Sequence, residues 1–170
     1  MGRIKKILAS VAITAALFSS STALAQDSKA WRLGIGGNIG TGLKDPFGLV
    51  LGVDAKLQKD FKGPVSGTLA TGYSHFSVKD EYENFGSPYN VIPLKAGLKV
   101  FANKHFYLSG EVGAGFSTKD GVPTSFVWSP AVGWAFNTGL DLGIKYEDYT
   151  KFRTTKQLAV RIAYGFNLSK

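Results

Sequence analysis

The sequence predicts an all-β fold, an eight-stranded antiparallel up-and-down transmembrane β-barrel. Three observations support this prediction. The last strand alternates apolar with small or polar residues along its whole length, and seven similar stretches precede it, each ended by a turn or loop. The glycines of these stretches lie mainly on the polar face, which indicates that this face points into a narrow interior.

The closing strand, Lys156–Leu168, has the clearest pattern. Every second residue is apolar: Leu158, Val160, Ile162, Tyr164, Phe166 and Leu168. A helix would place Val160 and Arg161 only about 100° apart and would spread the apolar side chains around its circumference. The stretch is therefore predicted to be a strand with one apolar and one polar face.

The other predicted strands follow in chain order. They run over Trp31–Leu43, Leu49–Gln58, Val65–Val78, Ile92–Val100, Phe106–Ser117, Phe126–Phe136 and Leu140–Glu147. The third is the least regular, because Phe76 and Val78 fall on the face opposite to Tyr73 and His75. We expect a bulge there that shifts the parity of the strand.

The connections alternate in length. The odd-numbered ones are generally the longer: Lys44–Gly48, Lys79–Tyr89, Thr118–Ser125 and Asp148–Thr155. The even-numbered ones are Lys59–Pro64, Asn103–His105 and the two-residue Asn137–Thr138. Short turns on one rim and longer loops on the other are typical of outer-membrane barrels with both termini in the periplasm.

Glycine decides which face points inward. The polar face holds most of the strand glycines: Gly34, Gly36, Gly40, Gly42, Gly52, Gly72, Gly97, Gly113, Gly115, Gly133, Gly143 and Gly165. The apolar face holds Gly37, Gly67 and Gly110. A solvated face gains nothing from glycine, whereas long side chains inside an eight-stranded barrel need small neighbours. The polar face is therefore predicted to line the lumen, the reverse of a soluble barrel.

The apolar face has the distribution expected for contact with lipid. It is almost free of charge over the middle of the strands, where Arg or Lys would cost about 2–4 kcal/mol. Its aromatic residues gather at the strand ends, as two interfacial girdles would. We expect a periplasmic girdle of Trp31, Phe101, Phe106, Trp134, Phe136 and Phe166. The outer girdle would contain Tyr73, Phe116, Phe126, Trp128 and Tyr146.

The N-terminus predicts secretion. Residues 1–25 combine a basic start, an apolar run over Ile7–Phe18 and an Ala23–Ala25 cleavage site, so we expect a signal peptide ahead of a barrel domain at 26–170. The absence of cysteine excludes a disulfide framework and lipid attachment through an N-terminal cysteine. The net charge of +8 is spread along the chain without a basic run, which does not indicate a nucleic-acid partner.

The chain resembles small OmpA/OmpX-type outer-membrane barrels and the broader porin-like outer-membrane β-barrel family. The resemblance covers Ala30–Leu168 and rests on the alternation and on the C-terminal Tyr164–Leu168 stretch. It implies an outer-membrane location, contact with membrane lipid and lipopolysaccharide, and insertion by the barrel assembly machinery. We expect a monomer without a cofactor. Many relatives end on an aromatic residue, whereas here residues follow Phe166.

Charged residues on the polar face form the main candidate site. They are Arg32, Asp54, Lys56, Lys95, Lys99, Glu111, Asp141, Lys145, Glu147 and Arg161. Charges in such an interior must be paired. We expect Arg161 and Glu111 to be central in the pairing, with the surplus cations near a rim. Either these pairs fill the lumen or they line a narrow path for small solutes.

A second candidate site is catalytic. His75 and Ser77 lie two apart on the third strand and resemble the His-x-Ser arrangement of outer-membrane lipid A deacylases. Val78 stands where that family has Asn, and the orienting acid could come only from Glu81 or Glu83 in the loop. No cluster has metal-ligand spacing. The leading interpretation is a non-enzymatic envelope barrel with a structural or surface-interaction role, ahead of a narrow pore and of a lipid-modifying enzyme.

Overall fold

A computed structural model of the protein describes residues 30–84, 86–151 and 154–169. It contains eight strands: β1 (Trp31–Gly42), β2 (Phe47–Asp60), β3 (Val65–Val78), β4 (Tyr89–Phe101), β5 (Phe106–Ser117), β6 (Ser125–Ala135), β7 (Leu140–Tyr149) and β8 (Lys156–Asn167). The predicted signal peptide, residues 1–25, lies outside the described residues.

The eight strands form one closed antiparallel barrel in sequence order. Each strand pairs with its neighbours along the chain, and β1 closes the barrel against β8 with a register from Arg32–Asn167 to Gly42–Gln157. The predicted up-and-down barrel is therefore confirmed. Closure leaves no free edge strand.

The connections differ at the two rims as the sequence predicts. The short rim contains three four-residue turns, at 61–64, 102–105 and 136–139. The Asn103 side chain shapes the second turn by accepting hydrogen bonds from the backbone N–H groups of His105 and Phe106 at 2.9 and 2.7 Å. In the third turn Gly139 has a φ of 93°, which favours glycine.

The long rim carries the other four connections: 43–46 has four residues, like the turns of the short rim, and 79–88, 118–124 and 150–155 are longer. The loop after β3 contains a 3-10 turn, Asp80–Tyr82. Lys79 ties this loop to the β1–β2 connection, because its Nζ donates to Asp45 Oδ1 at 2.7 Å and its backbone N–H to Pro46 O at 3.0 Å. The hydrogen bond to Asp45 raises the pKa of Lys79. Within the described segments, no helix combines the length and the apolar character of a membrane span.

The expected parity slip in β3 is wrong. The strand alternates to its end, with Tyr73 exposed and Phe76 fully buried. The irregularity lies on the neighbouring strand, where the β2–β3 register shifts between Phe47 and Val50. Phe76 breaks the apolar-out rule because the interior at this end of the barrel is itself apolar.

An apolar cluster fills the interior at the long rim. It comprises Phe47, Val50, Phe76, Val91, Val127 and Tyr149, with Val78 and Tyr89 packed against it. The ring of Phe76 meets those of Phe47 and Tyr149 edge-on, at centroid distances of 5.5 and 6.1 Å. These contacts close the end of the barrel beneath the long loops.

The strand boundaries differ from the predicted ones mainly at the long rim. Strand β7 continues to Tyr149 and β4 begins at Tyr89, so both reach into segments that composition marked as loops. Strand β2 likewise begins at Phe47. The added residues Phe47, Tyr89 and Tyr149 are held by the apolar cluster, a tertiary contact that local composition does not reveal.

Candidate functional site

The structure brings all ten of the predicted lumen charges into ion pairs inside the barrel. The alternation of each strand turns these side chains inward, and the glycines between them provide space. An added Cβ would lie 2.1 Å from Gly110 O at Gly97 and 2.0 Å from Leu94 O at Gly113. The lumen can therefore hold long charged side chains because the neighbouring glycines on the inner face have no side chain.

Glu147 lies at the centre of one group of polar contacts and is 0% exposed. Its Oε2 is paired with Lys95 and lies 3.6 Å from Lys145 Nζ. Its Oε1 accepts hydrogen bonds from Tyr149 Oη at 2.9 Å and from Gln157 Nε2 at 2.8 Å. Two cations and two neutral donors thus compensate one buried carboxylate, as burial of a charge requires.

Lys95 joins this group to Glu111. Its Nζ lies 3.3 Å from Glu111 Oε2, and Lys56 Nζ lies 2.5 Å from Glu111 Oε1. Thr68 Oγ1 also donates to that carboxylate, at 3.4 Å. Glu111 therefore pairs with two lysines, Lys56 from β2 and Lys95 from β4, in keeping with the central position expected for it.

Arg161, on the closing strand, binds Asp54 across the β1 strand that separates them. Its Nε lies 3.0 Å from both carboxylate oxygens and its Nη2 lies 2.5 Å from Oδ1. Asn38, on the intervening β1, donates to Asp54 Oδ2 at 2.7 Å. Bidentate contacts of this kind are among the stronger ion pairs because they fix both the distance and the plane of the two groups.

Asp141 is the acid nearest the short rim among the predicted ones. It accepts from Lys99 Nζ at 2.7 Å and from Tyr107 Oη at 2.5 Å, and Arg161 Nη1 lies 3.8 Å away. Lys99 Nζ also sits 3.7 Å from the centroid of the Tyr107 ring. A cation–π contact therefore adds to the pairing of Lys99.

Sequence reasoning missed one acid of the lumen, Asp60. It pairs with Arg32 at 3.2 Å and accepts from Gln58 Nε2 and Ser66 Oγ, both at 2.7 Å. Composition places Asp60 in the Lys59–Pro64 turn, but the alternation of Lys56 and Gln58, continued by two residues, places it on the face that lines the lumen.

The expected position of the surplus cations needs a correction. Lys145 is buried within the barrel, 3.6 Å from Glu147, and does not lie near a rim. Arg32 does lie toward the short rim, but it is paired with Asp60. Asp60 therefore compensates the charge of Arg32 at the short rim. The surplus of cations lies in the interior, where Glu147 contacts both Lys95 and Lys145.

Open space in the lumen is unevenly distributed. Two voids of about 20 Å³ each lie among the ion pairs in the middle of the barrel, close to the space needed by one water molecule. A cavity of about 410 Å³ lies at the short rim and is open to solvent. We call this cavity the vestibule; Arg161, Lys99 and Asp141 are among its lining residues.

The aromatic residues of the two expected girdles mostly point outward. Exposed members at the short rim are Trp31, Trp134, Phe136 and Phe166, and at the long rim Tyr73, Phe116, Phe126 and Trp128. Phe106 and Tyr146 are half-buried. Tyr164 is also exposed and packs edge-on against Phe166 at 5.0 Å, so it extends the short-rim row.

Phe101 does not belong to a girdle. It is 6% exposed and contacts Tyr107 edge-on at a centroid distance of 5.8 Å inside the barrel. Its parity matches that of Lys95 and Lys99, which also point inward, so the strand geometry directs the ring into the lumen. Aromatic character at a strand end was therefore an insufficient criterion.

His75 and Ser77 share the outward face of β3 near the long rim. His75 Nδ1 is 2.6 Å from Asn90 Oδ1 on β4, so the ring is oriented by an amide where a catalytic triad would use a carboxylate. Among the described residues, neither Glu81 nor Glu83 forms a hydrogen bond or an ion pair with this ring, and Val78 packs against the apolar cluster. No group of potential metal ligands occurs in the described parts of the chain.

Comparison with known proteins gives matches at the level of structure. No protein-family model and no curated protein sequence matches the chain. The crystal structure of Ail, the attachment invasion locus protein of Yersinia pestis, has a TM-score of 0.58 at 16% identity, covering 82% of this chain and 99% of that one.

Two further structures share the fold. The outer membrane protein Ail of Y. pestis in a phospholipid bilayer nanodisc has a TM-score of 0.57 at 13% identity, covering 82% of this chain and 100% of that one. A de novo designed transmembrane β-barrel has a TM-score of 0.54 at 12% identity, covering 84% and 100%. At these identities the comparison shows a shared barrel fold.

Proposed function

We propose that the protein is an integral outer-membrane β-barrel with a lumen filled by side chains, acting without catalysis in envelope structure or surface interaction. One observation carries this proposal. The barrel is apolar on its exposed outer surface and ion-paired in its interior, which is the arrangement of a barrel that has lipid outside.

The outer surface argues against a soluble protein. Large apolar side chains are exposed on all eight strands, among them Ile35, Ile39, Leu51, Val53, Leu69, Leu94, Leu98, Val112, Val132, Ile144, Val160 and Ile162. Soluble monomers rarely expose contiguous apolar patches beyond a few hundred Å². In the described strands, outward positions between the two aromatic rows carry no charged side chain. Such a band is stable in hydrocarbon and unstable in water.

The position of the aromatic residues and the loop lengths suggest the orientation. Exposed tryptophan, tyrosine and phenylalanine mark both ends of the apolar band, as at two membrane interfaces. We assign the short rim to the periplasm and the long rim to the cell exterior. We also propose export by the predicted signal peptide, insertion by the barrel assembly machinery and contact with lipopolysaccharide. Closure of the sheet, which leaves no free edge strand, favours a monomer.

The side chains that fill the lumen along its axis favour a closed lumen over a pore. The apolar cluster around Phe76 and Tyr149 fills the outer end, and the ion pairs around Glu147 and Glu111 fill the middle. Eight strands leave an interior that side chains can fill. The vestibule then ends blindly against the ion pairs.

A surface role is supported by the long rim. Three of the four outer connections are longer than the turns of the short rim, and Lys79 holds two of the outer connections together through Asp45 and Pro46. Ail, which shares the fold, is by name an attachment and invasion protein. A fixed loop surface on a membrane-held barrel is suited to contact with another molecule.

Catalysis by His75 and Ser77 is the weaker alternative, since the ring is oriented by Asn90 and not by an acid. Replacing Ser77 by alanine is expected to leave lipid A acylation in the host unchanged. Loss of a deacylated lipid species in the variant would instead support the enzyme.

The experiment that tests the proposal is electrophoretic. After extraction from outer-membrane fractions, the unheated protein should migrate faster than the boiled protein, because the closed barrel resists the detergent. In lipid vesicles the strands should also resist protease. Identical migration of heated and unheated samples, with recovery in the soluble fraction, would contradict a membrane barrel.

A further inference from the structure

The vestibule is lined by an excess of cationic side chains, which a lumen that is simply filled by side chains would not need. Its lining includes five cationic side chains, Arg32, Lys56, Lys99, Lys104 and Arg161, and one carboxylate, Asp141. We propose that the vestibule is a binding site for a small polyanion that carries two or more phosphate or carboxylate groups and enters from the short rim.

Three ion pairs place their cation, but not their acid, in the lining of the vestibule, whereas Lys99 and its partner Asp141 both line it. Arg32 pairs with Asp60, Lys56 with Glu111 and Arg161 with Asp54, yet none of these three acids lines the cavity. Each of these three pairs therefore presents its cation to the cavity and keeps its acid behind. Low-dielectric walls concentrate the resulting positive potential within the opening.

Two features of the vestibule favour a ligand with several anionic groups. Its cations come from different sides of the barrel: Arg32 from β1, Lys99 from β4 and Arg161 from β8. Guanidinium groups bind phosphate and carboxylate in a bidentate manner, and lysines add point charges. A single-charge anion could contact only part of this set, whereas a polyanion could bridge it.

The size and shape of the vestibule suit a small molecule. Its volume of about 410 Å³ falls in the range of ligand pockets. Small residues, among them Gly34, Gly165 and Ala163, form part of its wall and leave the space open. The closed middle of the barrel makes it a pocket with one entrance. Only the assignment of that entrance to the periplasm rests on the proposed function.

A steric variant tests whether the cavity is the site. An added Cβ at Gly34 would make only ordinary contacts, 3.7 Å from Arg161 Nη2 and from Lys56 O, so Gly34→Leu should fill the vestibule without displacing the backbone. Gly37→Leu is the matched control, because Gly37 lies on the same strand, and an added Cβ there meets nothing within 4 Å. Both variants keep every charge.

A charge variant tests whether cations are responsible. Lys104 is exposed in the turn between β4 and β5 and lines the vestibule, whereas Lys62 is exposed in the neighbouring turn at the same rim outside the lining. Lys104→Gln and Lys62→Gln make the same change in net charge. Only the first should weaken binding, by about threefold or more, if the local field attracts the ligand.

The measurement is a titration of the isotope-labelled full barrel in zwitterionic nanodiscs with sodium pyrophosphate, and separately with citrate, at constant ionic strength. We expect saturable shifts of the Gly34, Gly139 and Gly165 amides with at least one probe, and at least about tenfold weaker binding of acetate. Gly34→Leu should abolish saturation and Gly37→Leu should preserve it.

Three results would overturn the proposal: shifts that rise linearly without saturation for both polyanions, binding that survives Gly34→Leu, or equal weakening by Lys104→Gln and Lys62→Gln. Heat-modifiable migration of each variant establishes beforehand that it is folded. If Gly34→Leu does not fold, the two lysine variants decide the question alone. Failure of the membrane proposal would appear separately, as loss of heat-modifiable migration in the unmutated protein.

Discussion

Among single residues, Glu147 shows how a carboxylate is held inside this barrel. Its two oxygens contact Lys95, Lys145, Tyr149 and Gln157, which lie on β4, β7 and β8. A buried ion pair need not add net stability, but removing one partner leaves the other charge uncompensated. The contribution of Glu147 is therefore best measured as the cost of removing its charge.

Glu147→Gln tests this directly. The neutral amide keeps the size of the side chain but leaves Lys95 and Lys145 with less compensation. We expect the free energy of unfolding to fall by about 3 kcal/mol, measured by urea titration of the barrel in lipid vesicles. Glu83→Gln, the same change in an exposed loop, should shift it by no more than about 0.5 kcal/mol. Equal effects of the two changes would show that the interior does not depend on this charge.

For a single residue, the sequence predicts which face of the strand it lies on, but not which side chain it pairs with. Alternation places Lys95, Glu111 and Arg161 on the inner face correctly, because strand parity depends only on position in the chain. It does not give the height of a residue or its neighbour across the lumen, which depend on barrel tilt and register. The pairing of Arg161 with Asp54 could therefore not be predicted, nor could the interior position of Lys145.

At the scale of the strand, β5 shows how its two faces serve different purposes. Gly113 faces the lumen, where an added Cβ would lie 2.0 Å from Leu94 O and 2.8 Å from Lys95 Cα. Gly110 faces outward, where an added Cβ would meet no atom within 4 Å. Glycine is required on one face of this strand, and on the other it only reduces packing.

Alanine substitutions at these two glycines provide a matched test. Gly113→Ala should lower the free energy of unfolding by roughly 1–3 kcal/mol or more, because the backbone of β4 must move away. Gly110→Ala should be neutral or stabilising by up to about 1 kcal/mol, because alanine restricts the unfolded chain. Urea midpoints and the heat-modifiable fraction provide the readout. A larger loss for Gly110→Ala would reverse the assignment of the faces.

The strand ends were the least predictable part of each element. Phe76 and Phe101 are aromatic, and composition alone assigns such residues to the lipid side or to an irregular segment. Both point inward, one into the apolar cluster and the other against Tyr107. The lumen changes from ionic in its middle to apolar at the long rim, and that change arises from tertiary packing between strands distant in the sequence.

For the whole molecule, the order of the strands fixes which connections share a rim. Lys119 and Lys151 are exposed in long-rim loops, and Lys62 and Lys104 are exposed in short-rim turns. The proposed orientation places the first pair outside the cell and the second pair in the periplasm. The absence of native cysteine makes single-cysteine labelling a direct test of this assignment.

Cysteine at position 119 or 151 should react with a membrane-impermeant maleimide on intact cells. Cysteine at position 62 or 104 should react only after the outer membrane is permeabilised. All four sites are exposed in the folded protein, so a difference in labelling reports the side of the membrane and not burial. Labelling of positions 62 and 104 alone on intact cells would show that the barrel has the opposite orientation.

We propose that the barrel sits in a membrane with a closed lumen. The apolar cluster and the ion pairs occupy the outer end and the middle, and the vestibule opens only at the short rim. Whether the lumen is closed can be measured by recording ionic current through the purified, heat-modifiable protein in a planar lipid bilayer. We predict no steady single-channel current from the unmutated barrel; steady open-channel currents would contradict the closed lumen and favour the pore.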